Sequence, residues 1–220
     1  MMRNFILPRG IGVKQFDASA RVKIPQLLER FSTNRFSGYI HFDLSSQVGI
    51  VCFQDGNIVA VLFRSTEERY LGYEALLELF RALQLTRAEI RVYRLESEFV
   101  PYVARVCRGR VELEAQMVRF LDSTRLLRYL EQERFTGCIR IYTASEATLI
   151  FYTNGGVEGF FVDGTAGLRD ELDVEHSLAR DPECRFDLIR TPEAAQSPVL
   201  PLRDINFEKD WLIVWRELNV

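Results

Sequence analysis

The order of apolar and polar positions sets out one plan twice. From Arg35 to Phe63 the chain reads RFSGYIHFDLSSQVGIVCFQDGNIVAVLF, and from Arg134 to Val162 it reads RFTGCIRIYTASEATLIFYTNGGVEGFFV. Superposed without a gap, ninety-nine positions apart, the two pair Phe36 with Phe135, Gly38 with Gly137, Ile40 with Ile139 and Gly56 with Gly155. That period is too long for a solenoid and indicates a duplicated domain.

In the first copy, Lys14 to Val22 alternates with the period of a half-buried strand, and residues 1–14 read as a short strand or an arm packed on this repeat. Pro25 sits where a first helical turn tolerates it, so the spacing of Ile24, Leu27, Leu28 and Phe31 predicts a helix over 25–33. A strand from Gly38 follows, then Val48–Phe53 and Ile58–Phe63, joined by Asp55-Gly56, a strong hairpin signal. These apolar runs are nearly continuous, which predicts a sheet covered at least partly on both faces. Ser65 with Glu68 is a capping-box pattern that predicts a helix running on through Tyr70, Leu76, Phe80 and Leu83. Thr86 to Arg94 closes the copy as a strand.

The second copy repeats the order, with a strand over 114–121 and a helix through Leu126, Leu127 and Leu130. Strands follow at 137–142, 148–152 and 157–162, with Asn154-Gly155-Gly156 as the turn. A weaker helix carries Leu168, Leu172 and Leu178, and Arg185–Arg190 is the last strand. The organisation is thus 1–94, the first repeat with its N-terminal arm; 95–113, a connecting segment with a helix after Pro101; 114–190, a divergent second repeat; and 191–220, a Pro-punctuated tether with an aromatic helix. In that tail, Phe207, Trp211, Trp215 and Leu218 recur every three to four residues, although the run 211–215 is also apolar enough for a buried strand. The fold class is α+β: two similar lobes, each a mainly antiparallel sheet with a hairpin and packed helices, related by internal duplication.

Composition narrows the function classes. A net charge of −3 gives no whole-chain reason to expect nucleic acid or an anionic membrane as partner. No apolar run approaches a bilayer span, and Pro8, Arg9 and Gly10 interrupt any secretory leader, which predicts a cytoplasmic protein without membrane insertion. Cys52, Cys107, Cys138 and Cys184 are expected as reduced thiols. His41 and His176 have no second ligand at metal spacing, and no glycine-rich phosphate loop is present, so no metal, cofactor or catalytic residue is expected. Asp43 and Asp55 can be pictured as an acid–base pair, but Asp55 is explained by its turn. Asp170, Glu171, Asp173 and Glu175 read as a solvated helix face.

Two groups remain as candidates for binding a partner. Phe207, Trp211 and Trp215 are core if the tail helix packs on its own lobe, and an anchor for a partner or a second copy if it stands clear. Arg105, Arg108 and Arg110 form a small basic cluster, with ion pairs to Glu112 and Glu114 as the alternative to a phosphate contact.

Leu27-Leu28, Arg35-Phe36-Ser37-Gly38, Asp55-Gly56-Asn57-Ile58-Val59 and Gly72-Tyr73-Glu74-Ala75-Leu76 together resemble the PatA-like N-terminal domain of bacterial signalling proteins. The second copy matches through Leu126-Leu127, Arg134-Phe135-Thr136-Gly137 and Tyr152 to Val157, and departs at Gly167 to Leu172. The resemblance implies a non-catalytic protein–protein interaction module in bacterial signal transduction or motility regulation, with a protein partner or self-association. A small-ligand sensor or uncharacterised enzyme with a site between the two lobes is the alternative reading.

Overall fold

The computed structural model describes residues 7–18, 23–171, 181, 183–191 and 205–218, with the side chains of 14–18 excepted. The chain divides into two units. The first comprises Met1–Phe5, Ile11–Cys107 and Pro198–Val220, and the second Ile6–Gly10 and Arg108–Ser197. The architecture is α+β, with one antiparallel sheet in each unit.

The first unit contains β1 (Ile11–Ala18), α1 (Ile24–Thr33), β2 (Gly38–Asp43), β3 (Val48–Gln54), β4 (Asn57–Arg64), β5 (Arg69–Leu71), α2 (Gly72–Leu85), β6 (Ala88–Arg94) and most of α3 (Val100–Arg108). The second contains β7 (Arg110–Met117), a single 3-10 turn at Val118–Phe120, α4 (Ser123–Gln132), β8 (Gly137–Tyr142), β9 (Ala147–Thr153), β10 (Gly156–Phe161) and β11 (Arg185–Arg190). A last helix, α5 (Phe207–Leu218), returns to the first unit. Strand order is β1-β6-β2-β3-β4-β5 in one sheet and β7-β11-β8-β9-β10 in the other. Five positions therefore correspond one to one. Register agrees as well: Ile40 lies opposite Val51 and Val92, and Ile139 lies opposite Ile150 and Leu188.

The duplicated details have common physical causes. Asp55 and Gly56 have φ of 49° and 85°, Asn154 and Gly155 of 52° and 85°, the left-handed pair that a two-residue hairpin turn requires. Both turns press on the end of the preceding helix: a Cβ on Gly56 would lie 2.2 Å from the Ser32 carbonyl oxygen, and one on Gly155 2.8 Å from Glu131 Cα. Each helix ends through the same bond, Phe36 N–H to the Phe31 carbonyl and Phe135 N–H to the Leu130 carbonyl. The preceding Arg35 and Arg134 adopt φ of 50° and 45°, the left-handed stop common at helix ends.

Ile40, Phe42, Val51, Phe53, Ile90 and Val92 form the helix-covered face of the first sheet and are fully buried. Ile24 and Leu28 of α1, Leu76, Leu79 and Phe80 of α2, and Phe207 and Val214 of α5 complete that core. Tyr39, Ile50, Cys52 and Leu62 on the opposite face are buried too, so the nearly continuous apolar strands are covered on both sides. The second unit's core is smaller, built on Leu130, Phe135, Ile139, Tyr152, Phe186 and Leu188.

Several local expectations change. Ser65 and Glu68 close a tight turn, with Ser65 Oγ accepting from Glu68 N at 3.1 Å, and the chain then runs extended through β5 before α2 begins at Gly72. The hydroxyl that would cap a helix here caps a turn instead. The Arg9 arm belongs to the second unit, where Arg9 N and Nε donate to Asp163 at 2.7 and 2.9 Å. The connecting segment ends earlier than expected, because β7 begins at Arg110. The weaker helix expected through Leu168, Leu172 and Leu178 does not include its first residue: Leu168 is non-helical beside the Arg169–Phe160 bridge, and Asp170 and Glu171 are not on a helix either. Leu172, Leu178, His176, Asp173, Glu175 and most of the Pro-punctuated tether lie outside the described residues.

Candidate functional site

The second unit carries an open apolar groove. Its floor is sheet: Val111 and Leu113 of β7, Phe186 and Leu188 of β11. Its wall is α4, whose N-terminus is fixed by Asp122, the side chain accepting from Arg125 N at 2.9 Å, a standard N-cap. Leu126 and Tyr129 face the groove from α4, and Phe120 closes one end from the 3-10 turn. The volume is about 890 Å³. Phe120 is 76% exposed, and Leu113 and Tyr129 are exposed as well.

The equivalent positions of the first repeat are charged. Leu113, Phe120 and Tyr129 stand ninety-nine residues after Lys14, Arg21 and Arg30. Three basic residues in one copy are three large apolar ones in the other. The helix itself diverges in the same sense: Leu28 of α1 is 0% exposed, whereas its counterpart Leu127 of α4 is 52% exposed. Large apolar side chains gathered at a surface mark an interaction site far more often than singly scattered ones do.

A buried charge network shapes the groove's far strand. Arg140 and Asp187 are each 1% exposed. Arg140 Nε donates to Asp187 Oδ2 at 2.9 Å and its terminal nitrogen bonds the same oxygen, while the guanidinium lies 4.3 Å from the Tyr142 ring centre. Asp187 Oδ1 accepts from Ala115 N at 2.6 Å and from the Tyr142 hydroxyl at 3.3 Å. Capturing the Ala115 N–H bends β7: Ala115 has φ of 53°, and the β7–β11 register shifts between Phe186 and Leu188. An ion pair so enclosed is held by its bonds and is closed to a substrate, so its role is positional. Sequence reading missed it, because Arg140 and Asp187 look like the polar half of an alternating strand.

The aromatic tail is divided between inside and outside. Phe207 is buried in the first unit's core, and Trp211 packs edge-on against Phe80 at 5.3 Å between ring centres. Trp215 points outward, 52% exposed. Three polar contacts clip α5 to α2: the Tyr73 hydroxyl donates to Asp210 Oδ1 at 2.9 Å, Gln84 Nε2 to the Trp211 carbonyl at 3.1 Å, and Arg81 bonds Glu217 at 2.7 Å. Burial, followed by the bond to Asp210, pushes the Tyr73 hydroxyl above its ordinary pKa.

The three arginines occupy different settings. Arg105 lies 5.4 Å from the Tyr102 ring centre, Arg108 is half-buried at the end of α3, and exposed Arg110 donates to Glu112 at 3.1 Å at the groove rim. Glu112 also accepts from Arg190 Nε at 2.5 Å. Burial pushes the Glu112 carboxyl up, but the bonds from Arg190 and Arg110, with their charges, outweigh it and leave the pKa below the ordinary carboxylate value.

The chemical candidates separate too. Asp55 is bound into its turn by Ser37 and Ser97, and Asp43 lies 3.9 Å from Arg91. Asp55 lies in the β3–β4 turn beside Ser37, just before β2, and Asp43 ends β2, about 17 Å along the strand at its ordinary rise, too far to share a proton. His41 is buried on the sheet, and all four cysteines are buried. Burial holds the Cys138 and Cys184 thiols above their ordinary pKa. Among the described residues no group of three His, Cys, Asp or Glu is placed to hold a metal, and no helix is long and apolar enough to cross a membrane.

Residues 7–107, just under half of the chain, match a family described as an uncharacterized protein conserved in archaea (DUF2226). Neither the curated proteins nor the solved structures yield a match. This similarity corrects the PatA-like resemblance, and with it the assignment to bacterial signalling and motility. The motifs behind that resemblance are the helix end, the strand start and the hairpin turn described above. Such features report backbone geometry, which unrelated chains of similar plan share.

Proposed function

We propose that the chain is a non-catalytic protein–protein interaction module, and that the groove between α4 and β7 receives an apolar segment of a protein partner. The observation that carries this reading is the replacement of Lys14, Arg21 and Arg30 by Leu113, Phe120 and Tyr129 at equivalent positions, with all three apolar side chains exposed. Exposed aromatic and aliphatic side chains cost solubility and add nothing to a core, so a binding role gives the replacement a physical reason. The groove is an open trough rather than an enclosed pocket, which favours a macromolecular surface over a small ligand. Arg110 and Glu112 at its rim supply the polar border usual at such interfaces. The four buried, unbridged cysteines support a reducing compartment.

The test uses the full chain as bait in extracts of its source organism, with photo-crosslinking from position 116, an exposed glutamine in the groove lining. A protein captured by the wild type and lost with both Phe120→Asp and Leu113→Asp, each folded by circular dichroism, supports the reading. Capture unchanged by both substitutions overturns it.

A further inference from the structure

The outer face of α5 carries a second apolar surface, independent of the groove. The inner face, Phe207, Trp211 and Val214, is already used by the first unit's core. Leu212, Ile213 and Trp215 nevertheless point away from that core and are exposed. Tyr73, beside α5 through its bond to Asp210, is exposed as well. A helix that spends apolar residues on both faces has a use for the second one.

Its charges say what fits there. Around Leu212 the exposed residues four before and four after are Glu208 and Arg216, of opposite sign. A helix with this symmetry is complementary to itself turned end for end. Pairing two copies antiparallel sets each Glu208 opposite the other copy's Arg216, with the two Leu212 side chains meeting at the axis. Parallel pairing would put like charges together.

We infer that the occupant is a second copy of this chain, and that two α5 helices pair antiparallel across a two-fold axis. An isologous contact of this kind closes on itself and stops at the dimer. The surface is small, centred on one twelve-residue helix, so the dimer is a transient, micromolar one rather than obligate.

Sedimentation velocity of the full chain over a concentration series tests this. The wild type is expected to shift from monomer to dimer, and Leu212→Glu to remain monomeric with unchanged circular dichroism. Glu208→Arg and Arg216→Glu should each weaken dimerisation by about tenfold, from two like-charge contacts per dimer. An equimolar mixture of those two variants should dimerise as well as the wild type, because each supplies the charge the other lacks. A wild type that stays monomeric at its highest soluble concentration overturns the inference. So does a dimer that survives Leu212→Glu, or charge variants that dimerise unchanged. None of these substitutions touches the α4 groove, so this result and the partner-capture result are read separately.

Discussion

The two units share five strands in the same order and register, yet bury their helices differently. Around the first sheet α1, α2 and α5 meet in one core, and Leu28 disappears into it. On the second, α4 buries Leu130 alone among its ten residues and leaves Leu127 at the surface. The second unit also takes charge inside: Arg140 and Asp187 are cross-strand partners at the positions where the first carries His41 and Arg91. Duplication has kept the backbone and let the side-chain roles part. In the first unit stability comes from apolar burial; in the second, part of it depends on a paired charge, and more apolar surface is left exposed.

Breaking that charge pair has the largest expected effect. Asp187→Asn keeps an acceptor for the Ala115 N–H but leaves the Arg140 guanidinium buried without its countercharge. A loss of about 3–5 kcal/mol is expected, as for other buried pairs deprived of one partner. Urea unfolding followed by far-ultraviolet circular dichroism measures it. A loss below about 1 kcal/mol would mean that the network is solvated and the comparison above is wrong.

The matched leucines come next. Leu28→Ala should cost about 2–5 kcal/mol, from lost burial and the cavity left behind. Leu127→Ala, at the same place in the other copy, should cost less than about 0.5 kcal/mol, as surface changes do. Both tryptophans lie on α5, so their fluorescence follows the unit that Leu28 supports, and far-ultraviolet circular dichroism follows the unit that holds Leu127. Equal costs at the two positions would show that α4 is covered in solution.

The turn glycines sharpen the comparison from the side of likeness. Gly56→Ala and Gly155→Ala both force a side chain into φ of 85°, at a cost of about 1–3 kcal/mol each. The Gly56 change should be the worse of the two, since its Cβ would meet the rigid Ser32 carbonyl at 2.2 Å, against 2.8 Å for the nearest atom at Gly155. Thermal unfolding of the two variants side by side gives the order, and a reversed order would mean that helix ends yield more easily than turns.

These residues also show how far the sequence could be read. Apolar runs punctuated by Asp55-Gly56 and Asn154-Gly155 are local signals, and the hairpins stand where those signals put them. Ser65 and Glu68 are equally local but ambiguous, because one hydroxyl–amide bond serves a turn as well as a helix start. Arg140 and Asp187 lie forty-seven positions apart, and only strand register brings them together; alternation alone sends both to solvent. The α4 groove was half legible. Its residues could be compared across the repeat from the sequence, but their exposure depends on how little of α4 the second core covers. The α5 helix was visible in the spacing of Phe207, Trp211 and Trp215, but which of the three face inward depends on contacts with Phe80, Tyr73 and Gln84.

The smallest expected effect concerns the groove rim, and its sign follows from the pKa direction. Glu112 is held below the ordinary carboxylate value in the folded chain, with Arg190 and Arg110 as its partners. A carboxylate depressed on folding adds stability that is fully present above the unfolded value of 4.5 and is lost as pH falls through the folded value. Because the pair lies at a solvent-screened rim, its contribution is less than about 1 kcal/mol. Glu112→Gln should therefore destabilise the chain slightly at pH 7, and the difference from wild type should vanish as acid protonates Glu112. The first repeat has Val13 at the matching position, so Val13→Gln should show no such pH dependence. Unfolding curves for both variants from pH 7 to pH 3 decide the point, and high salt should shrink the Glu112 difference at neutral pH as it screens the exposed arginines. A Glu112 difference that persists in acid would mean that the side chain acts through packing, and that the rim charges differ between the repeats without bearing on stability.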